Sequence, residues 1–151
     1  MVSSSPITTD VAARLRLAIV RTARRLRQEA LGAEATELSP TLTAALATVS
    51  RHGPLTPSEL ARRERIKRPT ATRTVANLEA AGLIERTADP EDGRACIVSA
   101  TAEGTALLKR IRGRKNAYIA RRLRKLEPDE IETLERAAAI LERMLEDEDS
   151  A

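Results

Sequence analysis

Between Val11 and Leu26 the positions Val11, Leu15, Ile19, Thr22 and Leu26 recur at steps of four and three, the spacing of one helical face. Asp10 can cap that helix, the small polar residues up to Thr9 are expected to fray, and Leu31-Gly32 ends it. Ser39-Pro40 opens a second helix that turns Leu42, Ala45, Leu46 and Val49 inward, and His52-Gly53-Pro54 stops it.

Thr56-Pro57-Ser58-Glu59 then combines a capping hydroxyl, a proline at the first helical position and a glutamate at the third, the pattern of a capping box. This helix is short, holds Leu60 and Ala61 inward and runs out near Glu64. After Arg65-Ile66-Lys67 another begins around Arg68-Pro69, with Ala71, Val75 and Leu78 on one face and Gly82 at its end. Two short helices so closely joined predict a helix-turn-helix.

The period changes next. Residues 83–87 and 95–99 read as short strands around the turn-rich Asp89-Pro90-Glu91-Asp92-Gly93, a hairpin or wing. Thr101 caps a long helix of about 24 residues carrying Leu108, Ile111, Tyr118, Ile119 and Leu123. Pro128 opens the last helix, where Ile131, Leu134, Ala138, Leu141 and Leu145 keep heptad-like spacing. The fold class expected is mainly α with a small β-hairpin: a winged helix-turn-helix plus a helical dimerisation region.

Composition narrows this picture. Of 151 residues, 42% are apolar and 1% aromatic, Tyr118 alone, so aliphatic side chains must form the core. The formal charge of +4 permits nucleic acid as a partner. Positive charge gathers from Arg14 to Arg27, Arg62 to Arg73 and Lys109 to Lys125, and the stretch from Glu127 to Asp149 is acidic. The Lys109 to Lys125 run is read as compensating that acidic helix within the dimer arms, not as a DNA stripe. Cys96 is the only cysteine, which fits a reducing compartment, and residues 1–10 lack a signal-type apolar core. No apolar run approaches the roughly 20 residues a bilayer requires. A cytoplasmic protein, off the membrane, is expected.

The second helix of a helix-turn-helix fits the major groove. With Ala71, Val75 and Leu78 inward, rotation turns Pro69, Thr70, Thr72, Arg73 and Ala76 outward. Threonine hydroxyls can bond bases or phosphates, and Arg73 can take guanine bidentately or hold a phosphate. On the wing, Arg94 can enter a minor groove, and Asp92 can pin its guanidinium. The DNA-binding set expected is Arg68, Pro69, Thr70, Thr72, Arg73, Asp92 and Arg94. His52, far from Cys96 in sequence, forms no recognisable zinc set, and no catalytic constellation or phosphate-binding glycine loop is present, so no enzyme, cofactor or metal is expected.

These motifs, from Leu38-Ser39-Pro40 through Thr70-Ala71-Thr72-Arg73 and residues 78–84 to Asp92-Gly93-Arg94 and Thr101-Ala102-Glu103-Gly104, resemble the MarR family of bacterial regulators. The resemblance spans about Asp10 to Leu145. It implies a homodimer with interlocked first and last helices, two winged lobes on a palindromic double-stranded operator, and repression relieved by a small-molecule effector or an oxidant. By position it makes Thr70, Thr72 and Arg73 major-groove readers and Arg94 the minor-groove probe. The organisation expected is a dimerisation region in 10–37 and 102–147 and a DNA-binding lobe in 38–101. Ala100 stands where the family usually has leucine, and Glu127 replaces the usual hydroxyl before Pro128. Peroxide-sensing members carry their cysteine near the first helix, so Cys96 in the wing is read as a packed strand residue. The competing reading is a winged-helix protein-interaction module without DNA binding, against which the Arg62 to Arg73 cluster argues.

Overall fold

Local chemistry sets most element boundaries. The Ser39 hydroxyl accepts the Leu42 N–H at 3.3 Å and Pro40 occupies the first turn, so α2 runs Pro40–His52. The computed structural model describes residues 6–31 and 38–149. Around α2 stand α1 (Pro6–Leu31), α3 (Pro57–Arg63), α4 (Arg68–Ala80), β1 (Ile84–Ala88), β2 (Cys96–Ala100), α5 (Ala102–Leu123) and α6 (Pro128–Asp149).

The start of one helix differs from expectation. Helix α1 begins at Pro6, so Asp10 lies inside the helix and residues 6–9 are ordered turns of it. Proline is tolerated in a first turn, where its missing N–H has no partner to lose. The apolar face of α1 is largely exposed in the single chain: Val11, Leu15 and Ile19 keep 54%, 39% and 44% of their surface. Only the far end of α1 reaches the core, through half-buried Ala23 and Leu26 and buried Ala30. Arg114 Nη1 donates to the Ala30 carbonyl at 3.2 Å and fastens that end to α5.

The chain forms two units, one up to Lys115 and one from Asn116 onward. The first is built on a core where Leu46, Val49, Leu60, Val75, Leu78 and Val98 are fully buried, drawn from α2, α3, α4 and β2. Each such side chain contributes on the order of 1.5–3 kcal/mol by leaving water. Ala100, shorter than the family's leucine, is half-buried against this core.

Strands β1 and β2 pair antiparallel, with Ile84 opposite Ala100 and Ala88 opposite Cys96. Leu55, in the link between α2 and α3, adds a bridge to Val98 through N–H···O bonds of 3.1 and 2.8 Å, joining the hairpin base to the helices. Thr101 donates from Oγ1 to the Gly82 carbonyl at 2.7 Å and accepts the Gly104 N–H at 3.1 Å. At Gly104 the start of α5 meets Leu83, the residue just before β1, so closely that a Cβ would lie 2.1 Å from the Leu83 oxygen.

The second unit holds the end of α5 and α6. Glu130 Oε2 accepts the Glu127 N–H at 2.9 Å, the half of a capping box that needs no hydroxyl at position 127. Arg122 stacks over the Tyr118 ring at 5.1 Å. On α6, Ile131, Leu134, Ile140, Met144 and Leu145 are exposed, the last by 65%, and Leu141 is half-buried. Among the described residues no helix is long and apolar enough to cross a membrane.

Candidate nucleic-acid interface

Helix α3 is anchored by its own start. The Thr56 hydroxyl accepts the Glu59 N–H at 3.2 Å while Glu59 Oε2 accepts the Thr56 N–H at 2.7 Å. These bonds, first the backbone N–H and then the hydroxyl of Thr56, hold the Glu59 carboxyl below its ordinary pKa, with Arg62 and Arg63 adding to the effect. Glu64, which closes α3, accepts a hydrogen bond from the Thr48 hydroxyl of α2. Arg65 then turns the chain at a φ of 52°, in the left-handed region.

Helix α4 follows at once. Its buried side is Ala71, Thr74, Val75 and Leu78, and Thr74 is the member that the sequence pattern did not single out. The opposite side is open: Pro69, Thr70, Thr72, Arg73 and Ala76 are all exposed, as their rotation about the helix predicts, and so is Arg68. Lys67, before the helix, supplies no side-chain cap. Arg68 Nη2 donates to the Ser58 hydroxyl of α3 at 2.8 Å. The Thr72 hydroxyl donates to the Arg68 carbonyl at 3.1 Å. Its proton is thereby committed to the backbone, and Thr72 offers a methyl and an acceptor to whatever lies outside.

The wing projects from the same unit. Asp89 N–H bonds to the Ala95 carbonyl at 3.0 Å and closes the loop between β1 and β2. Within it, Asp92 Oδ1 accepts the backbone N–H of Arg94 at 3.1 Å. This corrects the expected pairing with the guanidinium: a short carboxylate two residues back is placed to satisfy the turn backbone, as in an Asx turn. Asp92 shapes the tip and Arg94 is exposed on it. Cys96 begins β2, half-buried and unpaired. His52 is exposed at the last position of α2, and among the described residues no three His, Cys, Asp or Glu are grouped to hold a metal.

A cavity of about 410 Å³ lies in the same unit, where the far end of α1, α2 and α5 meet. Its walls are mostly apolar, including Leu26, Ala30, Leu38, Ala47 and Ile111, with Arg27 and Lys115 as the cationic groups.

The arrangement has counterparts. A sequence model of the MarR family matches residues 38–96. An uncharacterized HTH-type transcriptional regulator of Mycobacterium leprae is 33% identical over 137 residues, 91% of this chain and 94% of that one. A Pseudomonas aeruginosa protein solved as a transcriptional regulator superposes with a TM-score of 0.82 at 30% identity, covering 93% of this chain and 97% of the other. Streptococcus pneumoniae FabT, solved in complex with DNA, superposes with a TM-score of 0.67 at 20% identity, over 93% and 96%.

Proposed function

This chain belongs to the MarR family of transcriptional regulators, and from that premise we propose that it is a sequence-specific DNA-binding repressor, working as a cytoplasmic homodimer on a palindromic operator. The observation that carries the reading is the two-sidedness of α4. Four buried side chains fix its rotation, and that rotation leaves Pro69, Thr70, Thr72 and Arg73 exposed as one outward face. A helix held in this way presents base-reading groups to a major groove. Arg68 and Arg73 supply charge, and Arg94 on the wing tip reaches the minor groove alongside, where the potential is deepest.

The dimer is supported by what one chain leaves uncovered. Val11, Leu15, Leu17 and Ile19 on α1, and Leu134, Ile140 and Leu145 on α6, are apolar surface that a second copy would remove from water. Residues 10–37 and 102–147 form the dimerisation region in this reading, and 38–101 the DNA-binding lobe. The cavity between α1, α2 and α5 suits a small effector with an apolar body and an anionic group, held by Lys115 or Arg27.

Selection of bound fragments from genomic DNA, followed by sequencing, tests the reading. It expects one inverted-repeat motif whose half-site centres lie about 34–36 Å apart along the duplex. Sequencing that enriches no motif, with a partner protein captured instead, would support a protein-interaction module.

A further inference from the structure

Arg68 and Ser58 sit ten residues apart, on α4 and α3, and are joined by a hydrogen bond of 2.8 Å between two exposed side chains. We propose that Ser58 is a positioning residue that aims the Arg68 guanidinium at DNA without neutralising it, an inference that rests on the DNA-binding reading above.

Three features of the site lead there. The cap of α3 is already made by Thr56 and Glu59, so the Ser58 hydroxyl is not needed for it. Glu59, the carboxylate next to Ser58, is engaged by the Thr56 backbone and hydroxyl and takes no part in holding Arg68. Arg68 is therefore held by a neutral acceptor. Arg86 shows the other arrangement, its guanidinium paired with the Glu79 carboxylate at 2.9 Å and its charge compensated.

A guanidinium carries five N–H donors in a rigid fork, so one bond to Ser58 fixes its direction and leaves the remaining donors for phosphate or base oxygens. A long side chain that is already oriented loses less freedom on binding. Its full charge still displaces a counterion from the duplex.

The experiment measures binding of the full-length protein to a duplex enriched by genomic selection and to a mixed-sequence duplex of equal length. Ser58→Ala is expected to weaken binding to the enriched duplex by about threefold to tenfold, the scale of one hydrogen bond. Ser58→Thr should keep wild-type affinity. Ser58→Asp should bind more weakly than Ser58→Ala, because a carboxylate would neutralise Arg68. In an Arg68→Ala background Ser58→Ala should have no further effect, and melting temperatures should match throughout. An equal loss in both backgrounds would overturn the proposal by showing that Ser58 acts independently of Arg68, and so would no loss in either. Wild-type protein that binds neither duplex would overturn the DNA-binding reading itself.

Discussion

Arg86 on β1 and Glu79 on α4 meet at 2.9 Å, Nε to Oε2, and so tie the first wing strand to the helix proposed to read DNA. Both side chains are about a third or more exposed, at 33% and 43%, so the pair adds little to folding stability. Its consequence is geometric and electrostatic: it holds the hairpin to α4 and compensates one of the cations beside the interface.

Glu79→Ala should therefore leave the melting temperature nearly unchanged and release the Arg86 charge. Affinity for random duplex should rise, and the ratio of specific to random binding should fall. Titrations of both duplexes at one fixed salt concentration check this. A large loss of stability with an unchanged ratio would show that the pair is a strut only.

The Glu59 capping box gives a pH dependence with a defined sign. The carboxyl titrates below its ordinary value of 4.5 in the folded protein, so its contribution to stability is complete above that value. It is lost as pH falls from there through the lowered folded value. Glu59→Gln keeps the acceptor geometry without the titration, so its acid limb should be shallower than that of the wild type. Thr56→Ala, which removes the N-cap hydroxyl, should lose about 1 kcal/mol at neutral pH. Denaturant titrations from pH 7 to pH 3 measure both.

Gly104→Ala tests the joint between β1 and α5. A methyl there would meet the Leu83 carbonyl oxygen, a backbone atom that cannot swing aside. The expected loss is roughly 1–3 kcal/mol by chemical denaturation, the range for forcing extra volume into a packed site. Gly93→Ala on the wing, where a Cβ meets nothing within 4 Å, should be close to neutral.

What could be read from the sequence depended on range. The Ser39, Thr56 and Thr101 caps and the rotation of α4 are set by neighbours within about four residues and stand where their patterns place them, while each wing strand begins and ends one residue later than expected. The start of α1 was misplaced because Pro6 to Thr9 have no apolar period. A helix extends into such residues once its later turns have formed. Thr74 escaped notice because a buried threonine does not register in an apolar pattern. The bonds from Arg68 to Ser58, from Thr48 to Glu64 and from Arg114 to Ala30 span 10, 16 and 84 residues. They exist only after the helices pack, and no local spacing announces them. The sequence points Asp92 to the right neighbour and the wrong atom, since residue type alone does not distinguish a backbone N–H from a guanidinium.

Arg73 and Lys115 should separate two kinds of cation. Arg73 is exposed on the outward face of α4, and Lys115 is half-buried at the cavity wall. Arg73→Ala should weaken operator binding by roughly 1–3 kcal/mol and relax preference at one base position per half-site. Lys115→Ala should change operator affinity little. Base-by-base operator scanning with each variant checks both, and a larger loss for Lys115→Ala would reverse the assignment of charge along α5.

The central claim is that the outward face of α4, presented twice by a dimer, reads an inverted repeat in double-stranded DNA. Its most direct test is one titration series: purified protein against the enriched palindrome, and against the same base composition scrambled, at physiological salt. The account predicts binding of one dimer per palindrome, at least about 10³-fold tighter than to the scrambled duplex. Equal affinity for the two duplexes, or a bound species containing a single chain, would contradict it.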